Sequence, residues 1–171
     1  MRQYISQDVV DKTNELLAMF FKMNSFCDNA AYALDCELEC QKVSNIYHQG
    51  FAHIFPSDIF ADKLSDDMVR LNMRPIRKGF EGDSKIYSNI VELFKENLEM
   101  MDAIRNKILN LIDEFDTDIN NKELVLCLEE ISLSANKYLK ISYKWLEKAE
   151  EYFNKDDIRS FNIHFEEFAQ L

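Results

Sequence analysis

Chain-breaking residues are almost missing from this sequence: three Gly and two Pro occur in 171 residues. So few punctuators argue against β-rich and α/β architectures, which need many turns, and leave long helices joined by few loops. Paired cysteine motifs are missing too. Cys27, Cys36, Cys40 and Cys127 include no CxxC pair. Cys36 and Cys40, four apart, share a face if they lie on one helix, but two thiols are an incomplete zinc set. All four read as reduced cysteines of a cytoplasmic protein. No apolar run approaches the length of a membrane span, and the N-terminal MRQYISQDVVDK has no apolar signal core. Positive charge is in the minority, with 20 Lys and Arg against 31 Asp and Glu, a formal net charge of −11. Such a surface repels nucleic-acid phosphates and anionic lipid heads, so neither nucleic acid nor membrane is an expected partner. It suits cations, a partner with a basic face, or simple solubility. No glycine-rich phosphate loop, nucleophile elbow or Cys–His pairing at recognisable spacing occurs.

What is present is periodicity. Hydrophobic residues make up 47% and charged residues 30%, the proportions of a globular protein, and the length suits a single domain over 1–171. From Asp8 to Leu34 apolar residues recur at three and four along Thr13, Leu17, Phe20, Asn24, Cys27, Ala31 and Leu34, a stripe that packs into a bundle. A second helix is predicted from Asp35 to Asn72 with His53, Phe60, Leu64 and Met68 on its inner seam. Pro56 lies inside it and predicts a kink or a restart. A third is predicted from Ser84 to Phe115, its seam opening at Ile86, and a fourth from Asn121 to Asn154. A short tail helix is expected within DDIRSFNIHFEEFAQL.

The connections set the topology. Helices one and two meet almost without a loop, and helices three and four through DTDIN, so each pair is an antiparallel hairpin. Between the pairs lies MRPIRKGFEGDS. A bundle helix of about 28 residues is about 42 Å long. Twelve extended residues reach roughly 40 Å, barely long enough to run the bundle's length and set helices two and three parallel. Two hairpins joined by one long crossover is the ferritin-like arrangement of an all-α four-helix bundle.

The segment DKLSDDMVRLNMRP, residues 62 to 75, resembles the end of the second helix in mini-ferritins, the DNA-protection branch of the ferritin-like superfamily. The resemblance rests on Asp62, Asp66, Arg70 and Pro75 and on the helix order. It implies a protein that captures Fe(II) at a site shared between two subunits of a homo-oligomer, oxidises it with dioxygen or peroxide, and serves iron storage or oxidative-stress protection. Carried over, the acidic ligand pair falls on Asp62 and Asp66. The two histidine positions fall on Asp35 and Tyr47, with His48 one residue away. The implied iron ligands are therefore Asp35, His48, Asp62 and Asp66. The lysine-rich tails that let some mini-ferritins bind DNA are missing. The Glu-x-x-His pairs of larger ferritins occur nowhere, which argues against a di-iron site inside the bundle. Three histidines in all are too few for haemerythrin-like iron binding.

The stretch YHQGFAHIFPSDIFAD, residues 47 to 62, divides into two faces on a continuous helix. His53, seven residues from Ile46 and Phe60, points into the bundle, as a buried histidine satisfied by an amide or hydroxyl or as a ligand in the core. His48, Asp58, Asp62 and Asp66 form an outer stripe, either solvated or a metal site at a subunit interface; carboxylates with an imidazole suit Fe(II) or Mn(II) better than zinc. Arg70, Arg74, Arg77 and Lys78 form a basic cluster that grips a phosphate or acidic partner, or else offsets nearby acids or hydrogen-bonds the last carbonyls of helix two. Two further readings stand beside iron handling. One is a non-catalytic bundle acting as a protein-interaction or self-assembling module. The other is a bundle holding a small molecule near His53, Asn24 and Asn97.

Overall fold

The computed structural model describes residues 4–169 and 171; the leading MRQ of the N-terminal segment lies outside them. Six α-helices lie among the described residues: α1 (Gln7–Cys36), α2 (Gln41–Gly50), α3 (Ala61–Arg70), α4 (Ile90–Phe115), α5 (Lys122–Asn154) and α6 (Ile158–Ala169). They form a ferritin-like bundle in which α2 and α3 together take the place of the second long helix. None of these helices is long and apolar enough to cross a membrane.

α1 begins at Ser6, whose hydroxyl accepts a hydrogen bond from the Val9 amide, and it buries the expected stripe of Thr13, Leu17, Phe20, Cys27, Ala31 and Leu34. Its end separates the two neighbouring cysteines. Cys36 closes α1 and is exposed, whereas Cys40 precedes α2 and is buried, so the shared helical face expected for them does not exist. The turn between them passes through Glu39 at φ 56°, and this left-handed residue reverses the chain in four residues.

The second helix departs most from expectation. Instead of one rod from Asp35 to Asn72 with a kink, the chain leaves helix geometry after Gly50, makes a 3₁₀ turn over Ala52–Ile54, and resumes at Ala61. Pro56 sits in this break, as a restart requires, but side chains shape it. Phe51, Phe55 and Phe60 are fully buried, and the last two stack at 5.2 Å. Ser57 ties the turn by donating to the Ile54 carbonyl at 2.8 Å. The break shifts the helical phase, so Ala52 and Ile54 face the core and His53 between them faces out. The inner-seam position expected for His53 is overturned for that reason.

The third helix starts six residues later than Ser84. Asn89 accepts from the Glu92 amide at 2.9 Å, while the Glu92 carboxylate accepts from the Ser88 amide at 3.0 Å, a reciprocal capping arrangement that Ser84 lacks. Ile86 therefore stays outside the helix, 72% exposed. The crossover runs along α1 and is pinned at both ends by asparagines. Asn14 donates to the Arg74 carbonyl at 3.1 Å and accepts from the Ile76 amide at 2.8 Å. Asn29 donates to the Lys85 carbonyl at 3.0 Å. Fifteen helical residues separate the pins (29 − 14), about 22 Å of travel beside the bundle.

α6 returns across α2 and α5. It seats Phe161, Phe165 and Phe168 against them, and its Ala169 carbonyl accepts from the Trp145 indole at 3.2 Å.

Candidate metal centre

Two polar groupings are of chemical interest: one at the bundle's centre and one on its flank. At the centre, the Tyr47 hydroxyl donates to Asn97 Oδ1 at 2.7 Å, and Asn97 Nδ2 donates to Ser142 Oγ at 3.2 Å. Ser142 passes its own proton to the Tyr138 carbonyl at 2.8 Å. Cys27 Sγ lies 3.2 Å from the Tyr47 oxygen. All four side chains are buried. Burial pushes the Cys27 thiol and the Tyr47 phenol well above their ordinary ranges, so both stay neutral. The network satisfies itself and carries no charge.

That neutrality bears on iron. Di-iron sites of ferritin-like bundles are built from inward-pointing glutamates and Glu-x-x-His pairs. The one buried carboxylate among the described residues is Asp67, and it is taken by Lys63 at 3.1 Å and Arg70 at 2.5 Å. The bundle interior does not fit a di-iron group. Arg70 of the basic cluster thus offsets an acid rather than gripping a ligand.

On the flank, three elements bring together Asp28 from α1, His48 from the last turn of α2, and His53 from the 3₁₀ turn. One ligating atom from each lies within 4.8 Å of the others. His48 Nε2 stands 3.2 Å from Asp28 Oδ1, and the His48 and His53 rings meet edge-on at 4.5 Å. Asp28 Oδ1 is itself buried and makes no well-directed hydrogen bond. Asp28 and His48 are each about one-third exposed and His53 is exposed, so the group opens to solvent on one side. Tyr32, also exposed, flanks His48 with ring centroids 6.5 Å apart.

Of the residues expected to ligate metal, His48 belongs to this group. Asp35, Asp62 and Asp66 are exposed on α1 and α3 and join no cluster of three ligating groups among the described residues. Sequence reasoning passed over Asp28 and assigned His53 to the core. A signal for Asp28 was present: Asp28 and His48 both stand ten residues from Leu38, in the hairpin's turn (38 − 28 and 48 − 38), so an antiparallel pair sets them side by side. No comparable signal placed His53, because the phase of the break depends on how its phenylalanines pack.

No protein-family model and no curated protein matches this chain. Among solved structures it is similar to the Chlorobium tepidum ferritin, with a TM-score of 0.79 at 14% identity over 98% of this chain and 99% of that one. It is also similar to a humanized archaeal ferritin, with a TM-score of 0.62 at 15% identity over 98% of each chain. The fold is ferritin-like; identities this low carry the fold alone.

Proposed function

We propose that this chain is a ferritin-like protein that binds Fe(II) as cargo at Asp28, His48 and His53. The observation carrying the reading is the donor set itself. Two imidazoles and one carboxylate, grouped within 4.8 Å with one side open, form the ligand combination that suits non-haem Fe(II). The buried Asp28 oxygen, approached by His48 Nε2 at 3.2 Å but without a well-directed hydrogen bond, fits the same role, since a cation would satisfy an acceptor that no protein donor meets well. The net charge of −11 favours cation capture. In this reading the chain self-associates, as the mini-ferritin resemblance implies. Asp35, Asp62 and Asp66 then add ligands only where a second copy brings them to the site.

A second reading, a bundle that keeps the ferritin-like frame for protein interaction alone, is favoured by the neutral Cys27–Tyr47–Asn97–Ser142 interior. Anaerobic calorimetric titration of the metal-stripped protein with Fe(II) separates the two. The iron reading expects saturable binding near one ion per chain that His48→Ala with His53→Ala abolishes. Flat heats, or binding indifferent to both histidines, would leave the interaction module as the better account.

A further inference from the structure

Resting on the metal reading above, we infer that the cleft beside Asp28 is an oxyanion site coupled to the cation site, binding a small phosphate- or carboxylate-class anion. The cleft, of about 430 Å³, lies between α1 and the crossover. Phe21, Ser25 and Asp28 form its α1 wall, and Arg77 and Lys78 face them from the crossover. Asp28 is therefore shared: it belongs to the flank cluster and lines the cleft.

Arg77 and Lys78 are exposed and distinguished by their place on this cleft. Arg70 is bound to Asp67 and Lys85 to Glu96 at 2.7 Å, so neither is open to a ligand. Among the described residues no carboxylate pairs with Arg77 or Lys78. Arg77 is nonetheless held in place. Its guanidinium lies over the Phe21 ring at 4.2 Å, which sets its plane and leaves its N–H edges free for a bidentate acceptor. Lys78 adds a point charge next to it. The Ser25 hydroxyl is a further uncommitted donor on the opposite wall, whereas the Asn24 amide is already spent on the Ala52 carbonyl at 2.8 Å. The crossover's pins at Asn14 and Asn29 bracket this segment and hold it against α1.

Asp28 decides how the site behaves. Its carboxylate shares the cleft with an incoming anion and repels it while no cation is bound. A divalent cation at Asp28, His48 and His53 reverses that local charge and gives the anion a third positive neighbour. Anion and cation therefore tighten one another, by the same factor in each direction. The basic cluster thus splits, Arg70 serving structure and Arg77 with Lys78 serving ligand capture.

The test uses Mn(II), which resists air oxidation, titrated into the metal-stripped full chain and followed by its electron paramagnetic resonance. Titrations are run without added anion, with inorganic phosphate, and with malonate. Phosphate or malonate is expected to raise Mn(II) affinity about fivefold or more, and the more effective of the two identifies the anion's source. Arg77→Gln with Lys78→Gln is expected to keep the anion-free Mn(II) affinity and helical circular dichroism of the parent while losing the enhancement. An equal enhancement in that variant, or none in the parent despite Mn(II) binding, overturns the oxyanion site and leaves the metal reading standing. Should the parent bind no Mn(II), the metal reading fails and phosphate titrated alone decides the cleft. Phosphate binding that the double variant loses keeps the oxyanion site without its coupling; no binding removes it as well.

Discussion

Tyr47 shows how single side chains settle the chemistry of this bundle. It stands beside Trp145 and Phe51, with ring centroids 5.7 and 5.3 Å away, and its hydroxyl is the donor that satisfies Asn97. Tyr47→Phe keeps the ring and strands a buried amide oxygen, which costs about 1–3 kcal/mol. The expected result is a lower denaturation midpoint in urea with an unchanged slope; an unchanged midpoint would mean that water replaces the hydroxyl. Residue-scale legibility was uneven. Asn97 was readable as a polar group near the bundle's core, and it is buried and bonded to Ser142. His53 was not readable, because its direction follows from a turn rather than from a helical period.

The capping of α4 is the sharpest case at the scale of one element. Asn89 accepts from the Glu92 amide and Glu92 from the Ser88 amide, so the helix starts there and the preceding residues remain free to form the crossover. Asn89→Ala removes one of these bonds and should cost about 1 kcal/mol, read as a lower melting temperature that Asn89→Asp restores. The Asn-x-x-Glu spacing was legible all along, and Ser84 misled only because a serine followed by a long apolar-periodic run also looks like a start. The break between α2 and α3 was legible in part. Pro56 marks it, but its ten-residue extent from Phe51 to Phe60 comes from three phenylalanines turning inward together.

Across the whole molecule, removal of α6 would reach both α2 and α5. Phe161, Phe165 and Phe168 are buried, and Trp145 is fully buried with its indole bonded to Ala169. Truncation before Ile158 uncovers these faces, and at about 1.5–3 kcal/mol for each large apolar side chain the loss is on the order of 5 kcal/mol or more. A red-shifted Trp145 fluorescence and a lower unfolding midpoint are expected; an unshifted spectrum would mean that the bundle recloses over the indole. The Asn162 side chain also accepts from the Val43 amide at 3.1 Å, so truncation reaches the start of α2 and the helix bearing His48.

Helix order, the two hairpins and the long crossover were set locally, by apolar spacing, scarce glycine and the lengths of the connections. Short-range rules suffice for these, because a helix face and a turn are properties of neighbouring residues. The flank cluster was decided by tertiary structure. Asp28, His48 and His53 belong to three elements, and only the packing of α1 on α2, together with the phase shift at Phe51, brings their side chains to one place. The cleft beside them needs a fourth partner, the crossover, whose path is set by asparagine pins on a helix some sixty residues earlier in the chain. Contacts at that separation leave no periodic trace in the sequence, since nothing in the spacing of one segment encodes where another is laid against it.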